Sequence, residues 1–512
     1  MWHRQDEEPV DMLRLVQRFR TDFLTYLPAR LIPAAVGMAS VMVLTHLFSP
    51  AEFGRYALLL AVGGTTLVVC GGWLRECMLR FFPNERKARS EGAFLSTLLR
   101  MAAITAALPL LAAGLIFVIP GVLASYREMV PWVSAWVIFG LLSIPLSSFL
   151  QAGLQAKWCA FWAILRALLG LALTILYVFF VRRHIVGAFI GLASSALIVG
   201  LLIARGLHVL DRIRRARLFH QRPTVRWTDL FSYGLPLAGW ALGLEVLNFA
   251  DRFVVNWFHG SAAVGIYSSN YYLADGGAAL LVLPLLAAVR PLIMQASSTG
   301  QTEDVQRLVT SASRVLLLLL LPCLAATVVL AQRIALTLLD PNYIQGYVVL
   351  PLVVAGVGAW SLGQLGHTGL QLAHRTKTMF AGVVGCASVN VALNIAVVPR
   401  WSYTGAAVTT LISYSLYPLF VYWASRGILR WRIPWATLGR SAGAAAVMGG
   451  TLALTWGGWT DSLVLQLGLS CLSPAIYVGM LFLLRELSRE DWEHVCAWLK
   501  KGLRIDPEET PR

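Results

Sequence analysis

The chain has 512 residues, 57% of them hydrophobic and only 13% charged, with a mean hydropathy of +0.67. Soluble domains carry roughly 25% charged residues, so this composition excludes a large water-soluble catalytic domain and puts the function inside a membrane. The net charge of +16 does not point to nucleic acid, because the basic residues sit in short loops between apolar segments, where anionic lipid headgroups are the fitting partner.

A helix needs about 20 apolar residues to cross the hydrocarbon core. Lipid offers the backbone no hydrogen-bond partner, so such segments are expected to be helices. About fourteen are predicted, at 24–48, 53–74, 94–119, 131–151, 158–181, 185–208, 229–258, 264–294, 309–330, 344–373, 378–398, 403–424, 436–458 and 462–484. The expected class is an all-α integral membrane protein. Residues 1–23 are polar and charged and the first apolar run is full length, so no cleavable signal peptide is expected. The seven cysteines form no CxxC pair and read as small core residues.

With the amino terminus in the cytoplasm, the inside loops hold 18 Lys and Arg and the outside loops 5. That bias predicts an inner-membrane, multi-pass protein with both termini cytoplasmic; Arg182 and Arg183 are the exception. The most basic loop, 209–228, carries Arg212, Arg214, Arg215 and Arg217 after six helices. It is expected to join two six-helix lobes, at 1–208 and 229–425. FGRY at 53–56 and VGIY at 264–267 lie 211 residues apart; GLQ at 153–155 and 369–371, and GA at 187–188 and 405–406, follow at offsets of 216 and 218. Landmarks in one order at a slowly growing offset indicate a parallel duplication, a common transporter plan with the substrate between the lobes. Two further helices at 426–485 fall outside the repeat, as packing helices or as a groove for a lipid tail. The tail at 486–512 reads as an amphipathic helix on the cytoplasmic leaflet, with Trp492, Val495, Trp498 and Leu499 on one face.

A charge deep in a membrane helix costs at least ~2.5–3.5 kcal/mol. Arg30, Arg100, Arg166, Glu245, Asp251, Arg252, Asp275, Arg290 and Arg314 are the cases here. Arginines outnumber acids, which suits a cationic cavity for an anionic substrate, since guanidinium holds phosphate in bidentate fashion. Arg30, Arg75, Arg80 and Arg252 are the candidate diphosphate-binding residues; Arg75 and Arg80 read equally well as snorkelling to headgroups. Glu245, Asp251 and Asp275 are candidates for ion coupling, against simple ion pairing between helices. Asn248, Asn270, Tyr271, Asn390 and Asn394 are candidates for sugar hydroxyls, against interhelical hydrogen bonding. His367 and His374 lack an adjacent carboxylate and make a poor metal site. No metal or cofactor is expected. There is no Walker motif, HExxH or GxSxG, and no loop long enough for a polymerase or ligase site, so the chain is not expected to be an enzyme.

The stretches LTHLFSPAEFGRYALLLAVGG (44–64) and DRFVVNWFHGSAAVGIYSSNYYLA (251–274) resemble the Wzx-type oligosaccharide flippases of the multidrug/oligosaccharidyl-lipid/polysaccharide exporter superfamily. The likeness runs over helices 1 to 12. It implies two six-helix lobes around a cationic cavity that alternates between faces. It also implies transfer of a polyprenyl-diphosphate-linked oligosaccharide across the inner membrane for surface polysaccharide synthesis. Membrane lipids would be partners, and the pathway's polymerase and chain-length components are candidate ones. By this resemblance Asp251 and Arg252 match the family's Asp-Arg pair, and Arg75 and Arg80 stand where an arginine often follows helix 2. Arg30 matches no fixed family position. The competing readings are a cation-coupled drug antiporter, a flippase for the peptidoglycan lipid precursor, and a membrane polymerase or ligase.

Overall fold

The structure, a computed structural model, describes residues 12–118, 126–180, 184–218, 222–298, 302–429, 431–456 and 463–487. Among them there is no strand. The helices in chain order are α1 (Met12–Leu47), α2 (Pro50–Lys87), α3 (Glu91–Thr105), α4 (Ala107–Val118), α5 (Val130–Ala152), α6 (Ala156–Phe180), α7 (Ile185–Gly206), α8 (Val209–Leu218), α9 (Trp227–Ser298), α10 (Thr302–Leu338), α11 (Val349–Gly366), α12 (Thr368–Leu372), α13 (Thr376–Ala424), α14 (Trp435–Trp456) and α15 (Leu463–Leu483). A 3-10 helix, Pro341–Gly346, precedes α11. Ten described helices are long and apolar enough to cross a membrane.

Helices α9 and α13 contain 72 and 49 residues. Straight, they would run roughly 108 Å and 74 Å, far more than the ~30 Å hydrocarbon core. Each is two helices that meet at a single residue, Gly260 (φ 78°) in α9 and Ser402 (φ 48°) in α13. Glycine adopts such a φ without a Cβ penalty. The halves then lie side by side: Tyr267 donates to Asp251, 16 residues earlier, at 2.5 Å, and Thr409 donates to Asn394, 15 residues earlier, at 2.8 Å. The loops expected at 259–263 and 399–402 are therefore corrected to single-residue corners. The expected span 94–119 is two helices broken at Ala106. The expected linker 209–228 contains α8, which packs on α3 through Arg212 and Glu91. Arg182, Arg183 and the tail from 488 onward lie outside the described residues.

Helix α2 starts where Ser49-Pro50-Ala51-Glu52 forms a capping box, with Pro50 in the first turn. It packs mainly on α9, and α11 and α9 pack on α13. One core, at the end that holds Phe48, Phe53, Val264, Tyr343 and Val398, is shared by the two halves of the chain. At the basic end the cores are separate. One gathers Trp73, Met78, Phe94, Phe149 and Ile203, with Leu230 of α9 leaning on it. The other gathers Ile293, Val309, Leu365, Tyr417 and Trp431. A fourth core joins α14 and α15 to α10.

Two buried carboxylates clasp the basic end. Glu85 at the end of α2 accepts from Thr224 N (2.7 Å), Thr224 Oγ1 (2.6 Å) and Val225 N (3.0 Å), and also from the Ser90 hydroxyl. It thereby ties the segment entering α9 to α2. Glu486, just past α15, accepts from Thr437 Oγ1 (2.7 Å), Arg314 Nε (2.7 Å) and Arg440 Nη1 (3.2 Å). Burial alone would raise the Glu486 carboxyl, but the hydrogen bonds from Thr437, Arg314 and Arg440 and the charge of Arg314 outweigh it and hold it below the ordinary value. A carboxyl depressed in the folded state contributes stability above its unfolded value, and that contribution is lost as pH falls through the folded one. We expect thermal stability in detergent to fall as pH drops below about 4.3, and to fall by less in Glu486→Gln. Identical pH profiles for the two proteins would remove this account.

Candidate functional site

The polar centre is built by the two halves of α9 and the second half of α13. The first half of α9 presents Glu245, Asn248, Asp251 and Arg252; the second presents Tyr267, Tyr271, Tyr272 and Asp275. Arg252 and Asp251 are 0% and 1% exposed. Arg252 Nη1 donates to the Asn248 carbonyl (2.6 Å) and to Asp251 Oδ1 (3.1 Å). The guanidinium carbon lies 4.8 Å from the Phe249 ring, 4.6 Å from Tyr271, 5.0 Å from Tyr272 and 5.7 Å from Tyr267. Its Nε and Nη2 have no hydrogen-bond partner. Asp251 is better served, accepting from the Arg252 amide (2.7 Å), Tyr267 (2.5 Å) and Thr410 (3.4 Å) as well as from Arg252 Nη1. Tyr414 donates to Asn248 Oδ1 (2.8 Å), and its hydroxyl lies 3.2 Å from that of Tyr271.

The remaining predicted residues divide. Thr65 of α2 donates to Glu245 at 3.3 Å, a bond between the two halves of the chain. Asp275 is half-buried, close enough to Arg252 for their charges to interact, and takes no hydrogen bond from a described residue. Asn390 and Asn394 are both 0% exposed and bonded to each other (2.9 Å), with Thr409 on Asn394. Asn270 donates to the Tyr343 carbonyl at 3.1 Å. Asn270 and Asn394 thus join separate elements in this conformation, while Asn390 bonds only within its own helix and its Nδ2 is buried without a partner among the described residues; none of the three faces an open surface. Arg30 on α1 is exposed. Arg75 pairs with Glu76 (2.9 Å), and Arg80 lies 5.3 Å from the Tyr233 ring. The four arginines expected to bind diphosphate are not one cluster. Tyr272, which touches Arg252, lies seven residues past Gly265, where α9 meets Gly54 of α2, whereas Arg75 lies 21 residues beyond Gly54, roughly 32 Å of helix. Arg166 donates to Ser143 (3.1 Å), and Arg314 is taken up by Glu486. Thr65, Thr410 and Tyr414 were not singled out by sequence, since a hydroxyl in an apolar helix carries no signal of its distant partner.

A groove of about 340 Å³ between α4 and α5, lined by Leu110, Pro131, Ile138 and Phe139, holds none of these residues. Among the described residues no group of three or more His, Cys, Asp and Glu could hold a metal. Removing one member of a buried ion pair costs ~3–5 kcal/mol, because the other is left uncompensated. We expect Asp251→Asn to lose stability of this order, and the double variant Asp251→Asn, Arg252→Gln to recover part of it. Additive losses in thermal unfolding would show that the pair is not the stabilising unit.

The fold is that of known transporters. The lipid II flippase MurJ, in an inward closed conformation, aligns over 87% of this chain and 99% of its own with a TM-score of 0.65 at 13% identity. A MOP superfamily transporter from Pyrococcus furiosus aligns over 82% and 98% with a TM-score of 0.58, also at 13% identity. At such identities the likeness shows the fold alone. In sequence, the probable flippase AglR of Haloferax volcanii is 25% identical over 301 residues, 56% of this chain and 59% of that protein. An uncharacterized membrane protein of Methanocaldococcus jannaschii is 21% identical over 219 residues, 42% of each. The chain thus spans less than two thirds of the length of either relative. The polysaccharide biosynthesis protein family matches residues 20–297, more than half of the chain, and the protein belongs to that family.

Proposed function

We propose that the protein flips a polyprenyl-diphosphate-linked oligosaccharide across the inner membrane by alternating access between lobes 1–208 and 229–425, supplying surface polysaccharide synthesis. The observation that carries this reading is Arg252. A guanidinium with two unpartnered donors, buried in a membrane bundle of this family, lacks an acceptor that a phosphate would provide. The barrier to flipping is moving a diphosphate and several sugars through hydrocarbon, where each uncompensated charge is costly. Fixed arginines and amides replace the lost water while the lipid tail stays outside the bundle. Arg75 and Arg80, near the basic end and on the cytoplasmic side in this reading, meet the diphosphate first, and Arg30 and Arg252 take it deeper. In this reading Asn248 and Tyr271 meet sugar once the halves part, and Asn270, Asn390 and Asn394 only if their present bonds open.

Of the three acids, Asp251 already has its oxygens occupied and serves to hold Arg252. Asp275 and Glu245, with no donor and one hydroxyl donor respectively among the described residues, are the carboxylates left for a coupling cation or proton.

The test is lipid extraction from a deletion strain, alongside surface polysaccharide. The linked repeat should accumulate on the cytoplasmic side while surface polymer is lost. A repeat exported but left unpolymerised would overturn the reading in favour of a later step. Arg30→Ala, exposed and free of the buried pair, should abolish export at normal membrane levels. Full export in that variant removes Arg30 from the site.

A further inference from the structure

Gly54 in the second turn of α2 and Gly265 in the second half of α9 meet backbone to backbone. A Cβ built on Gly54 would overlap the Ser261 carbonyl oxygen and stand 2.9 Å from the Gly265 nitrogen. A Cβ on Gly265 would overlap the Pro50 carbonyl oxygen and stand 3.1 Å from the Gly54 nitrogen. Adding 211, the spacing of FGRY and VGIY, to 50 and 54 gives 261 and 265. Each contact is thus the image of the other, the reciprocity that a two-fold axis imposes. Around it lie Phe53, Val264 and Tyr267, all 0% exposed. Tyr343 of the 3-10 helix packs edge-on against Phe53 (5.9 Å between centroids) and donates to the Phe48 carbonyl at 2.6 Å. Gly346 completes the seam: a Cβ there would stand 2.8 Å from the Ile266 carbonyl oxygen.

We propose that Gly54 and Gly265 are the seal of the transport path at the end away from the basic loops, and that the seal parts and re-forms in each cycle. This rests on the alternating-access reading above. Small residues let helix backbones approach closely. The contacts that result, glycine Cα–H groups against carbonyl oxygens, are weak and directional. At the two glycines the contact is backbone to backbone, with no side chain of their own to repack when it parts and re-forms. A side chain at either glycine would not hinder opening; it would stop closure.

Ser268 lies three residues beyond Gly265, fully buried, with an unpartnered hydroxyl. Ser268→Cys is a nearly isosteric reporter beneath the seal. Its modification by a membrane-impermeant maleimide is measured in intact cells and in inside-out vesicles, with the parent that keeps Ser268 as background for the native cysteines. In the Ser268→Cys background, Gly54→Ala and Gly265→Ala should each raise labelling from one side about tenfold, the scale of a shift from a mostly closed to a partly open population. The double variant should add little, since both glycines serve one contact. Tyr343→Phe removes a bond across the same seam and adds no atom, so it keeps the test answerable if the alanine variants do not accumulate; it should raise labelling to a smaller extent. Parental labelling from both sides, in any of these variants that reaches the membrane at normal levels, overturns the seal. Labelling needs no substrate, so this outcome is independent of whether the cargo is a linked oligosaccharide. Rising labelling in a strain that exports normally would instead count against the proposed cargo.

Discussion

Every charge inside this bundle has to find its partner within the protein, because hydrocarbon supplies none. The Asp251–Arg252 pair is where that constraint is concentrated. Neighbours in sequence, the two are fully buried, and most of the polar side chains around them are arranged on their account. Tyr267 and Thr410 complete the carboxylate, while Phe249, Tyr271 and Tyr272 present ring faces to the guanidinium. A desolvated cation over an aromatic face gains ~0.5–2 kcal/mol. An unmade hydrogen bond from a buried group costs ~1–3 kcal/mol. With Nε and Nη2 both unmade, the rings roughly offset the loss and leave the cation tolerable but unsatisfied. A structural arginine would have both groups bonded, as Glu486 has its oxygens bonded by Thr437, Arg314 and Arg440.

The same constraint explains how the chain turns. At the end away from the basic loops α9 and α13 reverse with one non-helical residue each, Gly260 and Ser402, so nearly every backbone group stays in its helix ladder. The corner at Gly260 is pinned by His259, whose Nε2 lies 2.8 Å from the Val398 carbonyl, close to the other corner. Polar side chains then cross-link the two halves of each hairpin, as Tyr267 does with Asp251 and Thr409 with Asn394. At the basic end, where water is near, the chain uses ordinary loops and clasps them with Glu85 and Glu486.

Much of this was legible in the sequence because hydropathy and lipid leave one solution for a 20-residue apolar run. The helix order, the basic loops and the pairing of FGRY with VGIY all follow from local pattern. The Gly54–Gly265 contact sits inside those two tetrapeptides, yet the pattern did not say that the repeats touch: an internal offset reports ancestry, not distance. What sequence missed has one physical cause. Helical periodicity says which side chains share a face, not what that face meets. The four arginines looked like one set because each is a charge in or beside an apolar run. The fold spreads them along the path, with Arg75 and Arg80 toward the basic end and Arg252 beneath the opposite one. Thr65, which meets Glu245 from α2, looked like any hydroxyl tolerated in a helix. Glu85 sat in a loop-edge charge run, where solvation is the ordinary outcome, but it is fully buried under the segment that leads into α9.

The seal and the ion pair are two ends of one lever. The helix that carries Gly265 also carries Tyr267, the donor to Asp251, two residues on, and Asn270, the donor to Tyr343, three residues further. Tyr343 in turn holds Phe48 at the corner that presents Gly54. Helix backbones are stiff over such short spans, so Gly265 cannot leave Pro50 while Tyr267 and Asn270 stay fixed. A shift large enough to part the glycines strains the Tyr267–Asp251 bond, and with it the cage that leaves Arg252 unpartnered. Spatial continuity alone does not establish coupling. Here, however, the links are three hydrogen bonds and one helix segment, and each bond has a defined broken state. An anion that satisfied Nε and Nη2 would favour whichever arrangement of the cage lets it in. On the proposed reading, occupancy of Arg252 is tied to the position of the second half of α9, and that helix to the seal.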